Sequence, residues 1–520
     1  FSCIIALMSA SNFFRKTLVL LALLLLLAAC ESRAGEKFVV IVVDEKELRY
    51  TTQAATIGEA LRESPARLGP LDRVSPDLNE PTTRSNRIVI TRVREDTIVE
   101  ERVVPFPRTI LRDEAVADGT ARAIQLGVNG HEEVTQKITY QNNVEIARET
   151  VAQRTIEIPR EEIVLLGAKG LLKSIPLAGM LFYISNGNAW LMFDESAQKR
   201  PLTFTGDLDG RAFAVSPDYE HVLASRRASV GGAIGAGGPL NSLWLINTGF
   251  VGDTAASVGI EDVLWADWLS DTQIIYSTGE RTVGAPGWKA HNDLWLYDFG
   301  AHAKQPLLEP QSQFAYAFWG MTWALSPDRK RLVYASADEL GFIEVASGQR
   351  TSLQQFPVYQ TQAGWVWTPD VSWSPDMRLL AATLHAPPPD TPLPENAPTF
   401  DVWVVNTRSS FAAQLAPETG MFANPVWSPQ GRIAYAQAHQ PQQSADSQYD
   451  LWVMNIDGSG KQPIFPQQGE HGLTNPQAAW SADGKQLVVL YDGNLYLVDA
   501  DGKRAAQLTA DGGTTVLRWR

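Results

Sequence analysis

The stretch Thr514-Thr515-Val516-Leu517-Arg518-Trp519-Arg520 opens a strand whose repeat is never completed. It follows NLYLVDADGKRAAQLTADGG, the end of a unit with recognisable earlier copies. AAWSADGKQLVVL (478–490), PVWSPQGRIAYAQ (425–437), VSWSPDMRLLAAT (371–383), WALSPDRKRLVYAS (323–336) and FAVSPDYEHVLAS (213–225) share one pattern, and WADWLSDTQIIYS (265–277) is a weaker sixth. Each reads as strand, tight turn and strand, because Pro pre-sets the turn and Asp caps it. A third strand follows with a common word: NSLWLIN at Asn241, NDLWLYD at Asn292, FDVWVVN at Phe400, YDLWVMN at Tyr449 and GNLYLVD at Gly493, while ELGFIEVAS after Ser336 departs from it. With a short fourth strand, the period of roughly 45–50 residues is that of a propeller blade. Six units run from about Arg211 to Thr509, and before them MLFYISNGNAWLMFDESAQKRPLTFT (180–205) lacks a first strand. Val516–Trp519 supplies it. The expectation is a seven-bladed β-propeller over residues 176–520, closed by the C-terminal strand so that no sheet edge stays free.

These Ser-Pro-Asp words resemble the TolB-type (WD40-like) propeller repeat. Upstream, KFVVIVVDEKELRYTTQAATIGEALRE alternates as strand and hairpin, then opens a short helix at Thr56 with Glu59 three residues on, a capping box. Together with NRIVITRV, residues 37–93 resemble the ubiquitin-like DUF348 domain of bacterial cell-wall proteins on the words TIGEAL and RIVITRV. Residues 97–170 carry Pro105-Phe106-Pro107, Gly119, Gly127, Gly130, Tyr140, Arg148, Pro159 and Gly167 in a strand-rich text too poor in large apolar residues for a compact core. That stretch is similar to a G5 domain, with Asn142-Asn143 where the family usually has Asn-Gly. The resemblance implies an elongated extracytoplasmic spacer or adhesion module with affinity for N-acetylglucosamine-containing glycans.

The first residues read as an address. Arg15-Lys16, an apolar run from Thr17 to Ala29 and Cys30 form a signal-peptide pattern over residues 1–29, with Met8 the expected start. Thirteen residues are short for a membrane span, which needs about 20. Leu27-Ala28-Ala29-Cys30 resembles the bacterial lipobox, which implies an acylated Cys30 and a mature chain without a thiol, since Cys3 is lost with the leader. The net charge of -14 and the lack of a basic run exclude a nucleic-acid surface.

Insertions place the expected site. The connections between strands one and two and between three and four are short; the long ones lie between strands two and three, or between a fourth strand and the next blade. Those two classes emerge on one face, where binding loops concentrate. They carry the candidate ligand-binding aromatics Trp288, Phe314, Tyr316, Trp319, Tyr359 and Trp365, whereas Phe318 and Trp367 are expected to pack between blades. No metal or cofactor set follows from spacing. His131-Glu132-Glu133 lacks a second His, GSGK at Gly458 lacks the rest of a phosphate loop, GGAIGAGG at Gly231 precedes no helix, and Asp499, Asp501 and Gly502 fit a turn. Two readings remain. One is a non-enzymatic surface lipoprotein that binds cell-wall glycan through the G5 module and an envelope protein or polysaccharide through the propeller. The other is a glycan-cleaving or lyase-type enzyme using carboxylates such as Asp293, Asp370 or Asp401.

Overall fold

In the computed structural model the described residues are 36–83, 85–113, 119–167, 172–228, 238–249, 255–283, 285–409 and 411–520. Cys30, its leader and the glycine run at Gly231 lie outside them. No helix among the described residues is long and apolar enough to cross a membrane. The chain divides into two compact units: residues 1–107 with 127–160, and residues 108–126 with 161–520.

In the first unit, β1 (Lys37–Val43) and β2 (Lys46–Thr52) form a hairpin whose turn residues Asp44 and Glu45 take φ of 52° and 63°. Helix α1 (Ile57–Glu63) follows, then β3 (Arg73–Ser75) and β4 (Ser85–Thr91), giving the sheet order β2-β1-β4-β3 with β1 and β4 parallel. The alternation of KFVVIVV sends Val39, Ile41 and Val43 inward against Ile57, Leu61, Ile88 and Ile90. The expected capping box is present: Glu59 N–H donates to Thr56 Oγ1 at 3.3 Å, and Thr56 N–H donates to Glu59 Oε2 at 3.2 Å.

Further strands are β5 (Val93–Val104), β6 (Arg108–Asp113), β7 (Ala121–Gln125), β8 (Gly130–Gln141), β9 (Val144–Glu157) and β10 (Glu162–Gly167). β5, β8 and β9 form an antiparallel sheet within the first unit. Every residue of β9 is exposed, and β8 buries only Val134 and Ile138 among its large apolar side chains, so this sheet has no sandwich core. Asn142 and Asn143 turn the β8–β9 hairpin at φ of 47° and 63°, the left-handed conformation Asn adopts readily. Where this sheet meets the ubiquitin-like sheet, Arg92 donates to Asp72 Oδ2 at 2.6 Å and to Asp44 Oδ1 at 3.1 Å, while its own N–H is held by Asn142 Oδ1 at 2.9 Å. Burial alone would raise the Asp72 carboxyl, but the Gly69 and Val93 N–H groups and Arg92 hold it below the usual carboxylate range.

In the second unit β6, β10 and β7 form a small sheet whose Leu111, Ile163 and Leu165 join the core of the first blade. That blade consists of β11 (Pro176–Ser185), β12 (Asn188–Pro201) and the strand Thr514–Trp519. The closing strand is antiparallel to β11, pairing Leu181 with Trp519, Tyr183 with Leu517 and Ser185 with Thr514. No separate fourth strand forms here, because β12 continues for 14 residues. The other six sheets begin at Leu208, Val263, Thr322, Val371, Val426 and Ala478, giving seven blades. Each successive pair shares a buried cluster, including the pair formed by the last blade (Val488, Leu497) and the first (Leu181, Trp190), so the ring closes by packing between separate sheets.

Two side-chain devices explain why the repeat words recur. In the turns, Ser216, Ser326, Ser374 and Ser481 donate to the Asp two residues on, and each Ser Oγ accepts an N–H from the second strand at 2.9–3.1 Å. The next position is left-handed, at φ 64° for Tyr219, 60° for Arg329, 60° for Met377 and 61° for Gly484. In the first strands, indole N–H groups reach the preceding blade: Trp268 donates to Ala214 O at 3.1 Å, Trp373 to Ala324 O at 3.0 Å and Trp480 to Val426 O at 3.1 Å. The closing strand uses the same residue type, Trp519 donating to Ala178 O at 2.7 Å. The departing word ELGFIEVAS also has a cause. Gly341 faces Tyr334, whose Oη lies 2.2 Å from where a Cβ would stand, so no side chain fits.

Candidate functional site: an aromatic recess on the long-loop face

Four of the six predicted aromatics meet. Tyr316, Trp319, Tyr359 and Trp365 line a recess of about 360 Å³ with Gln360, Thr361, Gln362, Ala363 and Val366. Two loops build it, each running from a fourth strand into the next blade. In the first, Tyr316 takes a left-handed φ of 56° and caps a single 3-10 turn, Ala317–Trp319, which ends at Gly320 with φ 99°. In the second, Gln360 N–H donates to Glu395 O at 2.7 Å, Gln362 Nε2 donates to Asn396 Oδ1 at 3.0 Å and Thr361 Oγ1 donates to Trp365 O at 2.6 Å. The walls are backed by aromatic packing: Tyr359 meets Phe400 edge-on at 4.9 Å, and Trp365 stacks with Phe422 at 6.2 Å. Packing of this kind locks the rings before any ligand arrives. Desolvation raises the Tyr359 phenol, so it stays a neutral donor at physiological pH.

The other two aromatics stand apart. Trp288 lines a smaller recess of about 120 Å³ that also touches Trp319, and the Arg211 guanidinium covers its face at 4.1 Å. Phe314 carries the Arg350 guanidinium at 4.2 Å, and the same cation lies 4.4 Å from Tyr334 and 2.8 Å from Glu339. Trp367 is 3% exposed and donates to Met421 O, as expected of an inter-blade residue, whereas Phe318 is 39% exposed because the 3-10 turn rotates it outward. The recess residues that sequence reading missed are Gln360, Thr361 and Gln362. Their only signal was position, since they lie between Tyr359 and Trp365 in the same loop.

The candidate carboxylates do not face this recess. Asp293 is buried and accepts from Thr278 N–H at 2.7 Å, Thr278 Oγ1 at 2.6 Å and Trp295 Nε1 at 2.7 Å. Asp401 is buried and accepts from Glu418 N–H at 2.7 Å and Gln414 Nε2 at 2.6 Å, and desolvation raises it. Both oxygens of each group serve the blade. Asp370 opens into the channel along the propeller axis, where surrounding protein pushes its carboxyl up to about 6. A metal-type grouping arises at Asp218, Glu220 and His221, with ligand atoms within 4.8 Å, but Asp218 is already engaged by Ser216 and the Glu220 N–H as a turn cap.

Comparison with known proteins identifies two domain families in the chain. Residues 39–79 match the G5-linked ubiquitin-like domain family and residues 95–169 match the G5 domain family. No curated protein matches the chain. Among solved structures, the chain is similar to an oligogalacturonate lyase in complex with manganese (16% identity, 46% of this chain and 62% of that one, TM-score 0.32). It is also similar to a TolB-assigned chain from Agrobacterium tumefaciens (14% identity, 59% and 95%, TM-score 0.34) and to an IgA1 protease G5 domain (28% identity, 15% and 93%, TM-score 0.11). This chain thus spans less than two thirds of the lyase. The class is a mainly β chain in which a ubiquitin-like domain and a G5 domain precede a seven-bladed propeller.

Proposed function

We propose that this chain is a non-enzymatic extracytoplasmic lipoprotein, acylated at Cys30, in which the G5 domain holds cell-wall glycan and the propeller recess binds a polysaccharide or an envelope protein. The observation that carries the propeller half is the recess walled by Tyr316, Trp319, Tyr359 and Trp365, with glutamine and threonine between them and no Asp, Glu, His, Lys or Arg in its lining. Flat rings with neutral amide and hydroxyl groups suit sugar rings, which offer C–H faces and hydroxyl edges. The G5 match supports the glycan half. Acylation contributes about 0.8 kcal/mol per buried CH₂, so several chains on Cys30 would hold the protein at the membrane.

The test is a glycan array with partner pull-down, using the soluble form without leader and Cys30, beside Tyr359→Ala and Trp365→Ala. Retention on a glycan or a defined envelope protein that falls about 5- to 150-fold in either variant is expected, on the basis of about 1–3 kcal/mol per anchor ring. Binding unchanged in both variants refutes the recess reading. Mass spectrometry of the native chain showing an unmodified Cys30 refutes the anchor.

A further inference from the structure

The first strands of the blades contact one another in sequence, including Thr514–Trp519 against Leu208–Val215, so they surround a central lumen. Along the strands Val371–Trp373, Val426–Trp427, Ala478–Trp480 and Thr514–Trp519 this space amounts to about 450 Å³. Its ends differ in charge. Asp370 stands where a long loop enters its first strand, while Arg518 and Arg520 stand at the opposite end, where the closing strand finishes. Arg329, in the Ser326 turn, and Asp267, in the third blade's first strand, lie at the same end and are coupled electrostatically to Arg520; Arg329 also senses Asp271 and Tyr219.

Asp267 thus has three guanidinium groups around it. Arg518 is exposed to the lumen yet enclosed by protein, and it donates to the Leu517 carbonyl at 2.8 Å. Arg329 donates to Trp268 O at 3.2 Å. No ion pair holds Arg518 or Arg520 among the described residues. Each guanidinium presents five donors, and Arg518, which lines the lumen, spends one of them on the Leu517 carbonyl. Three guanidinium groups against the single Asp267 carboxylate leave an excess of positive charge that an anion relieves, and a planar donor fork matches two oxygens of one group.

We propose that this end of the lumen is an oxyanion site, in which Arg518 and Arg520 grip a carboxylate or phosphate group and Arg329 adds field. The site is independent of the aromatic recess and opens on the face of the short turns. The volume admits a monosaccharide-sized ligand, so an acidic sugar and a phosphate ester are both accommodated.

Titration calorimetry of the full chain with inorganic phosphate and, separately, with D-glucuronate tests it. Binding of at least one probe in the millimolar range or tighter is expected. Arg518→Gln should weaken it about 10-fold or more, the loss expected for one charge-assisted hydrogen-bond pair. Arg329→Gln should weaken it less, and Lys503→Gln, which removes the same charge at an exposed turn outside the lumen lining, should leave it unchanged. Binding of phosphate alone or of glucuronate alone identifies the source of the oxyanion. Absence of binding for both probes, or equal weakening by Arg518→Gln and Lys503→Gln, overturns the proposal. A thermal melt of Arg518→Gln that matches the parent shows that the loss is local, and Arg329→Gln supplies a second reading if it does not.

Discussion

Removing Thr514–Arg520 tests the closure of the ring directly. The truncation strips β11 of one of its two neighbours and deletes Leu517 and Trp519, which are 4% and 8% exposed. Core truncations of Leu and Trp cost about 2–5 and 3–5 kcal/mol respectively, so the two together remove at least about 5 kcal/mol. A folded domain has only about 5–15 kcal/mol in all. The truncated propeller is therefore expected to unfold or aggregate at physiological temperature, with β11 offering an open edge to other chains. Two point variants grade the effect. Trp519→Ala keeps the strand but loses the ring, and at about 2 °C per kcal/mol for a large domain it should lower Tm by about 6–10 °C. Trp519→Phe keeps most of the ring and loses the bond to Ala178 O, about 1 kcal/mol and about 2 °C. Differential scanning calorimetry with light scattering reads all three. A truncated chain that melts where the parent does, or a Phe variant that loses as much as the Ala variant, would refute the closure argument.

Arg92→Ala should destabilise the first unit by about 1–3 kcal/mol, because it leaves the nearly buried Asp72 carboxylate without its cation; urea denaturation of the full chain followed by a probe in that unit would measure it. Asp72 is held below the usual carboxylate range in the folded state, so its stabilisation is complete above about pH 4 and disappears as pH falls through the lowered folded value; Asp72→Asn should flatten the stability profile there. Asp370 has the opposite sign. Its carboxyl is raised to about 6, so folding is favoured below about pH 4 and progressively less so up to pH 6; Asp370→Asn should be more stable than the parent at pH 7 and equal to it at pH 4. Gly341→Val should unfold the fourth blade, since its side chain would meet the Tyr334 hydroxyl and the Thr351 carbonyl; a normal melt for that variant would sink the packing account.

The propeller was legible because its turns are written in side chains. Ser326, Asp328 and the left-handed position after them form a local hydrogen-bonded word, and local words survive in any copy of the repeat. The same holds for Thr56 and Glu59 at the helix cap. The recess was only half legible. Aromatic residues in long loops marked the right face, but which rings meet depends on partners far away in sequence. Trp288 is claimed by Arg211 and Phe314 by Arg350, and neither cation advertises that contact. Phe318 was misread because one 3-10 turn, set by Tyr316 and Gly320, decides whether it points between blades or out to solvent. The lumen arginines gave no signal either: Arg518 alternates with Leu517 and Trp519 as any strand residue does, and only the ring makes its face an interior.

The pairing of Leu181 with Trp519 sets an order of events for the growing chain. Contacts this remote in sequence carry a large loop-closure entropy and form late, so the ring cannot be sealed until Thr514–Trp519 has emerged, more than 300 residues after β11 began. Until then β11 presents one bare edge, while its other side is already paired with β12. That interval is when strand exchange between neighbouring molecules is most dangerous. β12 offers a local safeguard along its outer half, where Asp194, Glu195, Lys199 and Arg200 place charges of both signs on the blade's outermost strand. The bare edge of β11 has no such guard. Its apolar run, Leu181-Phe182-Tyr183-Ile184, is made safe only by the arrival of the final strand. Yield in the cell should therefore depend more on the speed of that last step than on the equilibrium stability of the finished ring.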